Sequence, residues 1–152
     1  MPYSADMAFI QEQWRDEAYP RENSLTLGNG FYCLFDLPDQ HPHLTNKVWL
    51  PALDYRAQET CDCLATLGTA ADGPQPFQAR GGECAAYGGD GFVALQDKES
   101  GRLIWLLVLR DTNPFSRIEI REGSVHAHST CGVIARIPVD RPDQLTLAWP
   151  SD

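Results

Sequence analysis

The sequence predicts a mainly β protein: a single-domain antiparallel β-sandwich or curved meander sheet over residues 1–152, preceded by a short N-terminal helix. Three observations predict it. Residues 103–109, LIWLLVL, are consecutive apolar residues between Arg102 and Arg110. The run is too short to cross a bilayer and has no polar face, as expected of a strand covered on both sides. The C-terminal half carries turn signals at near-regular spacing, the mark of a sandwich or strongly curved antiparallel sheet. Finally, 12 Gly and 11 Pro in 152 residues favour many turns over long helices.

Taken in order, Met7, Ile10, Trp14 and Ala18 recur at helical spacing between Asp6 and Ala18, and Pro20 would stop a helix there. An irregular arm packing Phe9 and Trp14 across the sheet is the alternative. Ser24 to Leu27 and Phe31 to Phe35 read as a hairpin joined through Gly28, Asn29 and Gly30, residues that tolerate a tight turn. After the loop DQHPH, Leu44 to Leu50 is extended until Pro51, and Thr60 to Leu67 is a further strand. A loop follows from Gly68 to Gln75. The paired glycines Gly81–Gly82 and Gly88–Gly89 are expected to be turns bounding a short strand, Cys84 to Tyr87. Strands Phe92–Gln96, Arg102–Arg110, Ser116–Arg121, Val125–Thr130, Val133–Val139 and Leu145–Trp149 complete the meander. In Ser116–Arg121, Ile118 and Ile120 alternate with Arg117, Glu119 and Arg121, giving one buried and one wet face.

Composition narrows the function classes. A chain of this length buries about two-thirds of its unfolded surface, enough for one core. Its 21 acidic and 12 basic residues give a net charge of −9, a surface that repels phosphate and anionic lipid and suits a basic protein partner. The same charge also serves solubility alone. The N-terminus MPYSADMAFIQEQW has no basic segment leading into an apolar run, so a cytoplasmic location is expected. Five irregularly spaced cysteines suggest free thiols in a reducing compartment.

Three pairs at i, i+2 spacing, His41/His43, Cys61/Cys63 and His126/His128, would each offer two ligands from one strand face. No CxxC knuckle accompanies them, and Cys61 and Cys63 read more simply as small core residues. No metal or cofactor is therefore expected. A Cys131 nucleophile would need His126 or His128 as its base, yet a regular strand puts them on opposite faces. Signatures of common enzymes are missing, and RGGECAAYGGDGF lacks the lysine and helix of a phosphate cradle. No catalytic residue is assigned. Aromatic Phe31, Tyr32, Trp49 and Tyr87 would line a pocket in a small-molecule-binding or enzymatic β-barrel, the alternative function. Acidic residues concentrate in the expected loops, and Asp36, Asp39, Asp72, Glu83 and Asp90 are the candidate partner-binding residues.

WLLVLRDTNPFSRIEIREGSVHAHST (105–130) and RPDQLTLAWPSD (141–152) together resemble the immunity proteins encoded beside bacterial polymorphic and type VI secretion toxins. The likeness rests on the apolar strand, the NPF turn at Asn113–Phe115 and the RPxQLT segment ending in a tryptophan. The ending is similar to immunity proteins of deaminase-type toxins, although Leu147 and Ala148 separate Thr146 from Trp149, a departure from their pattern. The resemblance implies a cytoplasmic antitoxin that is not an enzyme and that occludes a basic protein toxin.

Overall fold

The computed structural model describes residues 4–38, 40–55, 60, 61, 63–85 and 87–150. In chain order it contains α1 (Ser4–Arg15), β1 (Tyr19–Pro20), β2 (Ser24–Leu27), β3 (Phe31–Asp36) and β4 (Thr45–Pro51). A 3₁₀ turn at Ala52–Asp54 leads to β5 (Thr60–Cys61), β6 (Leu64–Ala71), β7 (Phe77–Cys84) and β8 (Tyr87–Asp97). Then come β9 (Leu103–Leu109), β10 (Phe115–Arg121), β11 (Ser124–Ser129), β12 (Ile134–Pro138), a second 3₁₀ turn at Pro142–Gln144, and β13 (Thr146–Ala148). The large antiparallel sheet has the order β4-β3-β2-β9-β8-β7-β6, and the small one runs β10-β11-β12-β13. β1 and β5 form a two-stranded ribbon.

β9 is the middle strand of the large sheet, as its unbroken apolar run requires. Trp105, Leu107 and Leu109 pack into a core shared with Phe115, Val125, Ala127, Ala135 and Ile137 of the small sheet. Leu106 and Val108 point the other way, into a second core with Ile10 and Trp14 of α1, Tyr32 and Phe92. The molecule is thus a helix, a seven-stranded sheet and a four-stranded sheet in layers, the β-sandwich with an N-terminal helix that the sequence predicts. Ile104 alone of this run is exposed.

α1 carries Asp6 in its first turn and Arg15 in its last, matching the helix dipole. Gln11 fixes it to the sheet: its Nε2 donates to the carbonyls of Gly28 (3.2 Å) and Leu103 (2.9 Å), and its Oε1 accepts from Leu103 N–H at 2.9 Å. Trp14 Nε1 donates to Gly101 O at 3.0 Å. Among the described residues no helix is long and apolar enough to cross a membrane.

The glycine-rich region departs from expectation. Gly81 and Gly82 lie inside β7, and Gly88, Gly89 and Gly91 inside β8, so the short strand Cys84–Tyr87 is replaced by two long strands paired from Phe77↔Asp97 to Cys84↔Tyr87. Likewise β6 runs on to Ala71, through the first half of the loop expected from Gly68 to Gln75. The physical reason is close approach of the second sheet. A Cβ at Gly81 would sit 2.4 Å from Ile118 Cδ1, and one at Gly91 would sit 2.4 Å from Asn113 O. Glycine is used here as the absence of a side chain, so that β10 and the turn before it can lie down on β7 and β8.

Candidate functional site at the acidic end of the large sheet

β3, β7 and β9 end, and β2 and β8 begin, at the same end of the large sheet, because Leu34 pairs with Ser24, Ser24 with Val108, Leu109 with Gly91 and Gly91 with Glu83. Three of the predicted residues, Asp36, Glu83 and Asp90, lie at that end, spread along it from β3 to β7 with Asp90 on β8 between them. Glu22 precedes β2 and Asp111 follows β9, adding two carboxylates to the same end. Asp72 lies at the opposite end, exposed in the β6–β7 turn, where its carbonyl accepts from Gln75 N–H at 2.7 Å. Asp39 lies outside the described residues.

These carboxylates have different surroundings. Asp36 is exposed and accepts from Asn46 Nδ2 at 2.7 Å. Glu83 is half-buried in β7 beside Gly88. Asp90, expected in a glycine-rich loop, is within β8 and only 2% exposed. One oxygen lies 3.2 Å from Arg21 Nε and the other accepts from Asp111 N–H at 3.2 Å. Its charge is consumed in holding the Arg21 segment and the β9–β10 turn to the sheet.

Two hollows open at this end. One, of about 530 Å³, is lined by Glu22, Leu34, Asp36, Asn46, Val48 and Arg110 among others. The second, of about 340 Å³, is lined by Asn23, Leu37, Arg110, Asp111 and Trp149. Asn23 and Arg110 belong to both: Asn23 Oδ1 accepts from Arg110 N–H at 2.7 Å, which fixes the wall between them. Glu22 Oε2 is shielded from solvent and finds no hydrogen-bond partner among the described residues. A carboxylate oxygen so placed is costly unless a donor arrives.

β4 bounds the first hollow. It is an edge strand, with Val48 57% and Trp49 44% exposed. Lys47, Pro51 and the left-handed Asn46 (φ 53°) make its free edge a poor template for another strand. Its exposed apolar side chains are what remains for binding. Trp49 faces a separate open cleft of about 810 Å³ with Leu27, Trp105, Val139, Asp140 and Arg141. Tyr32 is on the opposite face of the sheet, buried in the helix-side core with its hydroxyl donating to Gln13 Oε1 at 2.6 Å. The two therefore do not line one pocket.

The other sequence constellations supply no chemistry. His41 and His43 bond to each other in an exposed loop, and among the described residues no three His, Cys, Asp or Glu gather as a metal site. Cys131 is in the β11–β12 turn, its sulfur 3.3 Å from Ser129 Oγ and donating to Thr112 O at 3.1 Å. Burial pushes this thiol up, and hydrogen bonds from Ser129, Asn113 and Val133 outweigh it, leaving it below the ordinary value. Neither His126 nor His128 is among those partners. Cys33, Cys63, Cys84 and Cys131 are free thiols, and burial pushes Cys33 up to about 11, which keeps it protonated at neutral pH.

Val48, Glu22 and Asp111 are the residues of this end that sequence reasoning missed. Glu22 sits in the unpatterned segment RENS, and nothing local marks Val48 as an edge residue. The adjacent apolar pair Val48–Trp49 in a strand bounded by Lys47 and Pro51 is the one available signal. No family model matches the chain, and no curated protein matches it in sequence.

Proposed function

We propose that this chain is a bacterial immunity protein that neutralises a cognate protein toxin by binding and occluding it, acting in the cytoplasm and not as an enzyme. The observation that carries the reading is the acidic end of the large sheet. Glu22, Asp36 and Asp111 line two hollows beside exposed Val48, and the solvent-shielded Glu22 oxygen lacks a donor among the described residues. That combination suits an incoming Lys or Arg of a basic toxin, with Val48 as an apolar anchor. The resemblance of residues 105–130 and 141–152 to immunity proteins supplies the toxin class, and the RPDQLT ending favours a deaminase-type toxin.

The test is to co-express the chain with the product of the gene encoded beside it. Protection of growth and a co-purifying complex are expected. Association should slow by about tenfold or more between low and high salt, and Glu22→Lys or Asp36→Lys should slow it likewise at low salt. Asp90→Lys is unsuitable as a probe, because breaking a buried pair costs about 3 to 5 kcal/mol of stability by itself. Absence of both protection and complex would sink the reading.

A second reading, a small-molecule-binding protein, has the Trp49 cleft in its favour, although the barrel expected for it is replaced by an open sheet with β4 and β6 at its edges. A ligand-induced change in Trp49 fluorescence with no effect of Glu22→Lys would select it.

A further inference from the structure

The outer face of the small sheet has a charge opposite to that of the molecule. Arg117, Glu119 and Arg121 point outward from β10, and the register sets His128 beside Arg117, His126 beside Glu119, and Arg136 of β12 beside His126. Three arginines and two histidines thus surround one carboxylate in a chain whose net charge is −9. Glu119 is already committed, 2.7 Å from Arg117 Nη2 and 3.6 Å from Arg121 Nε, and these contacts, Arg117 foremost, hold its carboxyl below the usual range. The side chains of Arg117 and Arg121 nevertheless remain 69% and 59% exposed. Glu122, in the turn after Arg121, stands at the lip of the face.

We propose that this face docks an acidic peptide segment of a partner protein, its carboxylates seated on Arg117, Arg121 and Arg136 with the His126 and His128 imidazoles between them. Guanidinium forks recognise carboxylates through paired hydrogen bonds, and the flat, paired strands hold them in fixed rows. Nucleic acid is the poorer occupant. The face, formed by β10, β11 and β12, carries no Phe, Tyr or Trp on which a base would stack.

His126 makes the docking pH-dependent. Burial, then Arg121 and Arg136, hold its imidazole below its ordinary value; Glu119 acts in the opposite direction and His128 in the same one. Arg121 Nη2 is 3.5 Å from its Nδ1. A bound carboxylate raises the imidazole's proton affinity, so protons are taken up on binding and affinity rises as pH falls from about 7.5 to about 5.5. The inference is independent of the toxin reading, which uses a different surface.

The experiment titrates the full chain with a labelled oligoglutamate peptide, following anisotropy and amide NMR shifts. Saturable binding is expected, with shifts confined to β10, β11 and β12 and affinity about tenfold weaker in Arg117→Glu and Arg136→Glu variants that keep the wild-type melting curve. If those variants do not fold, the shift map on the wild-type chain decides. Shifts absent from this face, undiminished binding by folded variants, affinity that does not rise at lower pH, or tighter binding of oligothymidylate than of oligoglutamate would overturn the proposal.

Discussion

Trp105 belongs to the core between the two sheets and also holds a loop in place. It is 1% exposed, packs among Leu25, Leu107, Ile137 and Leu145, and donates from Nε1 to Val139 O at 3.1 Å, tying β9 to the segment after β12. Trp105→Ala removes both the ring and the bond, and the surrounding strands, paired on each side, have little freedom to collapse into the space. The expected cost is about 3 to 5 kcal/mol, a large part of the stability of an ordinary domain. Trp105→Phe keeps much of the volume and leaves the Val139 carbonyl without its donor, so about 1 to 3 kcal/mol is expected. Urea unfolding of the two variants measures both numbers, and equal, small losses would show that the ring is not packed as described.

At the scale of elements, the legible parts of the fold were those with local signals. The central strand was visible as an apolar run, the β2–β3 hairpin through Gly28, Asn29 and Gly30, and β10 through the alternation of Arg117, Ile118, Glu119 and Ile120. β7 and β8 were not, because Gly81, Gly82, Gly88 and Gly89 read locally as turns while the contact that requires Gly81, with Ile118, is distant in sequence. The acidic end was half legible for the same reason: charge marks Asp36 and Glu83, but only the strand order and register place them at one end of the sheet, and Asp90 is buried there. The β8–β9 turn gives a test at this scale. Asp97 Oδ1 accepts from Ser100 N–H at 2.7 Å, Ser100 Oγ at 3.0 Å and Glu99 N–H at 3.0 Å. These bonds, those of Ser100 first, hold its carboxyl below the usual carboxylate range. A depressed folded value stabilises above the unfolded pKa of about 3.9 and loses that contribution as pH falls below it. The melting temperature of Asp97→Ala should therefore lie below the wild type at pH 7, with the gap narrowing below about pH 4. A gap unchanged down to pH 2.5 would show that the ionised turn contributes nothing.

For the whole molecule the question is whether three layers unfold as one. The two cores meet only through the seven-stranded sheet: Trp14 lies in the helix-side core and Trp105 in the core between sheets, with β9 supplying Leu106 to one and Leu107 to the other. Adjacent residues of one strand cannot leave separately, since losing the pairing of β9 with β2 and β8 removes a wall from both cores at once. Gln11 and Trp14 add side-chain bonds from α1 to backbone groups of the sheet, which are lost in the same event. Cooperative unfolding is therefore expected despite the layered build. Labelling with fluorotryptophan allows each indole to be followed in the same sample. The native resonances of Trp14 and Trp105 should lose intensity with one urea midpoint and one slope. A Trp14 signal that disappears at clearly lower denaturant would mean that α1 is a detachable cover, and that β9 holds one core together and not two.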